Sequence, residues 1–139
     1  MQARSLDRRE IRQTLARLAN ALEQSPLPAR GWTSLSEILG PEELAGLLGI
    51  SGSSLRRYAG GARPTPDEVA ARLHVLATVV ADLLGTYNAL RVRRWFHRPR
   101  SALGGRSPAE VLSGPWNPED EGPRAVRALA RSLLGSSAT

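Results

Sequence analysis

The amino-acid sequence predicts an all-α fold. Aromatic residues make up only 4% of the 139 residues, so the core has to consist mainly of Leu, Val and Ala, a composition that favours helices over strands. Apolar residues recur at helical spacing along the chain, and no alternating run of strand length is present. Helix-start signals and glycine stops delimit about seven helices. We therefore expect a helical bundle.

The N-terminal segment, residues 1–30, is predicted to be an amphipathic helix followed by a linker. Within residues 5–24, four apolar side chains form one narrow stripe, namely Ile11, Leu15, Leu18 and Leu22. An isolated helix of this kind is not stable in water, so it has to pack on the rest of the protein or on a partner chain. Two prolines and a glycine in residues 25–31 end the pattern. We interpret that stretch as a linker, which makes the helix a candidate dimerisation arm.

Residues 31–86 are predicted to hold three short helices and one long helix. Ser34 and Glu37 have the spacing of a capping box and open the first of them. Thr65 is expected to cap the long helix, with a proline and two acids in the first turn after it. The long helix is almost uniformly apolar over residues 69–84, which predicts that it lies at the centre of the core.

Residues 41–60 have the pattern of a helix-turn-helix unit. Ala45 is the small residue needed where the two helices approach, and Gly49 supplies the positive φ that the turn requires. Ser51 can cap the second helix. Five apolar residues fall at the spacing that anchors both helices, namely Leu44, Leu48, Ile50, Leu55 and Tyr58. Such a unit is typical of proteins that bind DNA.

The exposed side of the second helix provides the candidate DNA-binding residues, which are Ser51, Ser53, Ser54, Arg56, Arg57 and Arg63. Arg57, and with it Ser53, is placed to reach a base edge, whereas Arg56 and Arg63 are assigned to phosphate. The formal net charge is +6, and all 19 basic side chains are arginine, whose planar group suits phosphate and guanine. A solvated basic surface without a nucleic-acid partner is the alternative interpretation.

Residues 87–139 carry a second motif. Two adjacent aromatic residues precede a proline, a Gly-Gly turn and a newly capped short helix, and a last helix is expected over about residues 124–134. The motif consists of Trp95, Phe96, Pro99, residues 102–108 (ALGGRSP) and residues 110–112 (EVL). The upstream residues that belong to the same pattern lie in the helix-turn-helix and are Leu44, Ala45, residues 48–51, Leu55, Tyr58 and Gly60. From about Ser34 to Gly135 the sequence resembles the Xre/MbcA/ParS-like toxin-binding antitoxins.

The resemblance implies an all-helical antitoxin of a type II toxin-antitoxin system. Its partner would be a toxin with a RES domain, an enzyme that consumes NAD or transfers a group from NAD. The C-terminal part of the antitoxin would neutralise that toxin by direct binding. The helix-turn-helix part would form a homodimer and repress its own promoter at a palindromic operator. The chain itself would then be no enzyme and would need no cofactor.

Two sets of residues are candidates for toxin contact. A toxin site that accepts the pyrophosphate of NAD should be electropositive, so an acidic segment suits it. That acidic set comprises Glu119, Asp120 and the C-terminal carboxylate of Thr139. The basic alternative would pair with acidic residues of the toxin and comprises Arg94, Arg98, Arg100 and Arg106. The acids of residues 119–121 have a plainer explanation as the first turn of the last helix. An insert at residues 114–118 departs from the family pattern.

No catalytic or metal site is predicted. The chain has no Cys, which excludes disulfides and thiolate metal sites. His74 has no acid at metal-ligand spacing and is expected in or at the edge of the core, and no catalytic triad or carboxylate pair is evident. Residues 104–107 lack the lysine and the preceding strand of a phosphate loop, so they are interpreted as a turn. No apolar run reaches the roughly 18 residues of a membrane helix, and no signal peptide is evident, so we expect a cytoplasmic protein.

Two other functions are compatible with these residues. The chain could be a stand-alone helix-turn-helix regulator without a toxin partner, which would bind a palindrome in a salt-dependent manner. It could also be a structural adaptor whose helix-turn-helix contacts protein rather than DNA.

Overall fold

The computed structural model of the protein describes Arg9 and residues 28–136, and within these residues it contains α-helices, one 3₁₀ helix and no strand. The all-α prediction is confirmed for this part of the chain. Residues 28–136 contain seven α-helices, which are α1 Pro28–Leu39, α2 Pro41–Leu48, α3 Gly52–Ala59, α4 Asp67–Leu84, α5 Ala89–Phe96, α6 Pro108–Val111 and α7 Glu121–Ser136, with the 3₁₀ helix at Ser101–Leu103. The helix expected over residues 5–24 lies outside the described residues, apart from Arg9.

Helix α1 corrects the prediction of a linker up to residue 31. It begins at Pro28, so Ser34 is not its cap but lies in its middle, where it is buried. Proline is tolerated in the first turn of a helix because its missing N–H has no partner there. Trp32, Leu35 and Ile38 are fully buried on one face of α1. Burial of this face outweighs the local stop signals that the sequence prediction used.

Helix α4 is the centre of the core, as predicted. It packs mainly against α7 and α1, and its fully buried side chains include Leu76, Val79 and Leu83. Two details of the prediction were wrong. Pro66, not Thr65, occupies the cap position and no side chain caps the helix. His74 is exposed, because it falls on the outer face of α4. Its backbone carbonyl accepts a hydrogen bond from the Thr78 hydroxyl at 3.0 Å.

The buried residues of the described chain form one continuous core. It joins Leu44, Leu48 and Leu55 from the α2–α3 region with Phe96, Leu112 and Val126 from the C-terminal region. The last helix, α7, begins at Glu121 rather than near residue 124 and inserts Val126 and Ala130 into this core. The two predicted regions therefore share side-chain packing in one core.

Candidate functional site

The turn between α2 and α3 has the geometry that the sequence predicts. Gly49 adopts the left-handed conformation, with φ 70° and ψ 32°. Its N–H donates to the Gly46 carbonyl at 3.2 Å, and the Ile50 N–H donates to the Ala45 carbonyl at 3.1 Å. Ala45 is buried. These bonds satisfy two of the last four carbonyls of α2 and end the helix at Gly49.

Helix α3 is capped and anchored as predicted. The Ser51 Oγ accepts a hydrogen bond from the Ser54 N–H at 3.0 Å. It also bonds the hydroxyls of Ser54 at 3.0 Å and Ser53 at 3.2 Å. Leu55 is buried, and Tyr58 packs against the core with its ring centroid 6.4 Å from that of Trp32. The remaining side of α3 is thereby held outward.

The outward side of α3 carries the predicted DNA-binding residues. Ser51, Ser53, Arg56, Arg57 and Arg63 are exposed, whereas Ser54 is half-buried. The Arg63 N–H donates to the Arg57 carbonyl at 3.3 Å, which places Arg63 directly behind the end of α3. The three arginines therefore form one basic face, which we call the α3 face and define as Ser51, Ser53, Arg56, Arg57 and Arg63. Both Ser53 and Ser54 hydroxyls are bonded to Ser51, but Ser54 is half-buried and so less available to a ligand than the exposed Ser53.

Removing the cap tests how much α3 depends on Ser51. The Ser51→Ala variant is expected to lose about 1 kcal/mol in the free energy of unfolding, because the Ser54 N–H at the helix start loses its acceptor. Urea unfolding followed by circular dichroism measures this change. The matched control is Ser53→Ala on the same helix, which leaves the cap bond in place and should change stability by less than about 0.5 kcal/mol. Equal losses in the two variants would contradict the capping role.

Gly49 can be tested against a second glycine in the same unit. The Gly49→Ala variant is expected to lose about 1–2 kcal/mol of stability from its left-handed backbone alone. The added Cβ would also lie 3.1 Å from the Gly114 carbonyl oxygen. Gly46 lies inside α2, and a Cβ there meets nothing within 4 Å. Gly46→Ala should therefore stabilise the protein by about 0.5–1 kcal/mol. Thermal unfolding of both variants gives the comparison, and a neutral Gly49→Ala would contradict it.

Helix α5 presents arginines outward and aromatics inward. Asn88 caps it by accepting a hydrogen bond from the Arg91 N–H at 2.9 Å. Trp95 and Phe96 are buried, and their rings meet edge to face with centroids 5.3 Å apart. At the other end, the His97 Nε2 lies 2.7 Å from Glu43 Oε1 of α2. The exposed side of the helix carries Arg91 and Arg94, which are three residues apart.

The Gly-Gly segment is a turn, as predicted. The Arg100 N–H donates to the Arg106 carbonyl at 3.0 Å, and the Gly105 N–H donates to the Arg100 carbonyl at 2.9 Å. Gly104 and Gly105 both have positive φ, at 69° and 84°. Ser107 and Glu110 then form the predicted capping box of α6, with bonds of 3.2 Å and 2.9 Å between side chains and backbone N–H groups. The turn fixes Arg100 against the end of α5.

Glu110 makes this capping box dependent on pH. The hydrogen bond from the Ser107 backbone N–H, with lesser contributions from the Ser107 side chain and Arg106, lowers the pKa of the Glu110 carboxyl. Because the folded-state pKa of Glu110 is lowered, its carboxylate stabilises the fold at pH values above its unfolded-state pKa. This stabilisation is lost as the pH falls through the folded-state pKa. Glu110→Gln should therefore reduce the loss of stability on acidification below about pH 4.3. Unfolding curves at pH 7 and pH 3 test this, and identical pH dependence in both proteins would contradict it.

Three of the basic candidates for toxin contact meet at one pocket. Arg94, Arg98 and Arg100 line it together with Tyr87, Arg91 and Trp95, and it encloses about 150 Å³. The Arg91 guanidinium lies 5.6 Å from the centroid of the Tyr87 ring, and that of Arg100 lies 5.2 Å from the centroid of the Trp95 ring. Sequence reasoning had missed Tyr87. Tyr87 lies just before the cap of α5, outside the helix, so no helical spacing marked it.

The other candidates lie elsewhere. Arg106 is exposed on the turn, with its Nε 3.4 Å from the Leu103 carbonyl, and does not line the pocket. Glu119 and Asp120 are exposed before α7. Asp120 Oδ2 accepts a hydrogen bond from the Asn117 N–H at 3.0 Å, so it shapes this loop. Thr139 lies outside the described residues.

The loop of residues 113–118 docks on the α2–α3 turn, a feature that sequence reasoning missed. Trp116 is buried, and its Nε1 donates to the Leu47 carbonyl at 2.8 Å. The buried Arg72 of α4 donates from Nε to the Trp116 carbonyl at 2.7 Å and from its terminal nitrogen to the Leu48 carbonyl at 3.2 Å. We call Arg72 and Trp116 the buried clamp. It supplies partners for carbonyls at the end of α2, which the helix itself leaves unpaired.

The described residues contain neither a metal-binding cluster nor a membrane-spanning helix. Within residues 28–136 and at Arg9, no group of three or more His, Asp or Glu residues is arranged to hold a metal ion. None of the helices in this part of the chain combines the length and apolar character needed to cross a membrane.

Comparisons of the chain with protein-family models, with curated proteins and with solved structures find no match.

Proposed function

We propose that this protein is the antitoxin of a type II toxin-antitoxin system, which binds its own promoter through α3 and neutralises a RES-type toxin by direct contact. The observation that carries the DNA-binding half is the α3 face. It is a capped helix, fixed by a left-handed glycine turn and a buried leucine, with three exposed arginines at its C-terminal end. The second half rests on the sequence resemblance described above.

On DNA, the residues of the α3 face would divide their roles by position. The N-terminal part of a recognition helix enters the major groove, so Ser53 is the proposed base contact there. Arg57 lies in the last turn of α3 and is the second proposed base contact, through its longer side chain. Arginine can donate two parallel hydrogen bonds to guanine. Arg56 and Arg63 would neutralise phosphates and make binding depend on salt. A homodimer would place two such helices on a palindromic operator.

Toxin contact is proposed for the C-terminal region, which follows α4. Exposed residues of both signs lie there, so contacts to basic and to acidic toxin surfaces are each supported. The basic residues are Arg94, Arg98 and Arg106 with the half-buried Arg100, and the acidic ones are Glu119 and Asp120. Because this region shares one core with α2 and α3, a toxin bound there would contact the same folded unit that carries the α3 face.

The proposal is tested by measuring both activities of the full chain. Fluorescence anisotropy with DNA from upstream of the gene should give saturable binding, with affinity that falls steeply between about 50 and 200 mM salt. Co-expression with a tagged RES-domain toxin encoded beside the gene should yield a stable complex. Operator binding without a toxin complex would favour the stand-alone regulator. A stable oligomer that binds no DNA even at low salt would favour the adaptor.

A further inference from the structure

The pocket beside α5 is a concave site lined by four arginines that DNA binding by α3 does not use. We call it the arginine pocket and define it by its lining residues, Tyr87, Arg91, Arg94, Trp95, Arg98 and Arg100. It lies where the side of α5 meets the turn of residues 100–106, so a helix and a tight turn both fix its walls.

The charged lining of the arginine pocket consists entirely of guanidinium groups. Arg91 and Arg94 lie three residues apart on one side of α5, and Arg98 follows just after the helix ends at Phe96. Arg100 approaches from the turn. Arginine stays protonated throughout the accessible pH range, so four positive charges face about 150 Å³ of space. Their mutual repulsion is relieved when an anion enters.

Arg100 points to the same kind of ligand. Its Nε is buried and has no hydrogen-bond partner. Its terminal nitrogen is 3.4 Å from the Trp95 carbonyl, and the guanidinium lies against the Trp95 ring at 5.2 Å from the centroid. A buried donor without an acceptor is costly and rare in native structures. The Arg100 side chain lines the pocket, and an oxyanion is the kind of acceptor that its Nε lacks.

We propose that the arginine pocket binds the phosphoryl group of a phosphomonoester. Pockets for drug-sized ligands enclose roughly 300–1,000 Å³, so this smaller pocket suits a single compact group. The fork of arginine matches the oxygens of phosphate. A phosphomonoester carries a charge of about −1.5 to −2 at pH 7, whereas a carboxylate or a phosphodiester carries only one negative charge. Four arginines favour the more highly charged group.

The inference goes beyond the proposed function and requires neither DNA nor a toxin. Its test uses the full chain alone, so its failure would leave the proposed function standing. Isothermal titration at constant ionic strength compares four probes, which are inorganic phosphate, methyl phosphate, dimethyl phosphate and acetate. Inorganic phosphate and methyl phosphate should bind saturably with one site per chain. Dimethyl phosphate and acetate should bind at least about ten-fold more weakly, since each carries only one negative charge against about 1.5 to 2 on a phosphomonoester.

Two double variants locate the binding. Arg94→Gln with Arg98→Gln removes two exposed charges from the pocket and should weaken binding of methyl phosphate by about ten-fold or more, the equivalent of one charge-assisted hydrogen bond. Arg56→Gln with Arg57→Gln makes the same charge change on the α3 face and should leave that affinity unchanged. Circular dichroism checks that both variants are folded.

Three results would overturn the inference. The first is no saturable binding of either phosphate probe. The second is an equal loss of affinity in both double variants, which would reflect the overall charge of the chain. The third is binding of acetate or dimethyl phosphate as tight as that of methyl phosphate, which would assign the pocket to a carboxylate of a partner protein or to a nucleic-acid backbone.

Discussion

Replacing Arg72 by methionine is expected to destabilise the protein by about 2–5 kcal/mol, because two buried carbonyl oxygens lose their donor and each unsatisfied group costs about 1–3 kcal/mol. Arg72 is 7% exposed, and it bonds the carbonyls of Leu48 and Trp116. Methionine keeps the apolar stem that packs in the core but cannot donate. The change therefore isolates the hydrogen bonds of the buried clamp from its packing.

Urea unfolding followed by circular dichroism measures the Arg72→Met effect. The control is Arg124→Met on the exposed side of α7, which removes the same charge and should change stability by less than about 0.5 kcal/mol. A second variant, Trp116→Phe, retains most of the buried ring but removes the Nε1 donor to the Leu47 carbonyl. It should cost about 1 kcal/mol. Stability equal to that of the control in both clamp variants would show that the clamp does not hold the loop to α2.

Replacing Arg57 by alanine is expected to weaken binding to the specific operator by about 1–3 kcal/mol, the value of one bidentate contact to a base. Arg57 is exposed at the end of α3, so the variant should remain folded. Anisotropy at a fixed salt concentration, with operator and with scrambled DNA of equal length, measures the change. Affinity for scrambled DNA should fall much less.

Arg63→Ala is the matched comparison on the same face. Arg63 is assigned to phosphate, so its loss should weaken binding to operator and to scrambled DNA equally. It should also reduce the slope of log affinity against log salt concentration by about one. If Arg57→Ala also weakens both DNAs equally, Arg57 contacts phosphate and the proposed base contact is wrong. If neither variant changes affinity, α3 is not the DNA-binding surface.

Local sequence signals were sufficient for the turn between α2 and α3. Gly49, Ser51 and Leu55 each act within a few residues, through positive φ, a cap bond and one apolar contact face. The capping box of Ser107 and Glu110 was predictable for the same reason. Features of this kind depend on chemistry that neighbouring residues supply.

Features that depend on distant parts of the chain were not predictable. Trp116 bonds the Leu47 carbonyl 69 positions earlier, and Arg72 bonds the Trp116 carbonyl 44 positions later. No local pattern marks either partner. The start of α1 was missed for a related reason, since burial of Trp32 and Leu35 against the core decides it. The arginine pocket was only partly predicted, because the basic candidates included Arg100 but not Tyr87, which lies outside α5.

The most direct test of the proposed antitoxin function is the NAD content of cells that express a RES-domain toxin encoded beside this gene. Toxin alone should deplete NAD and stop growth. Co-expression of the full chain should restore both, and Arg57→Ala should restore them equally well, because neutralisation is assigned to the C-terminal region and not to α3. NAD that stays depleted when the folded chain accumulates beside the toxin would contradict the proposed antitoxin function.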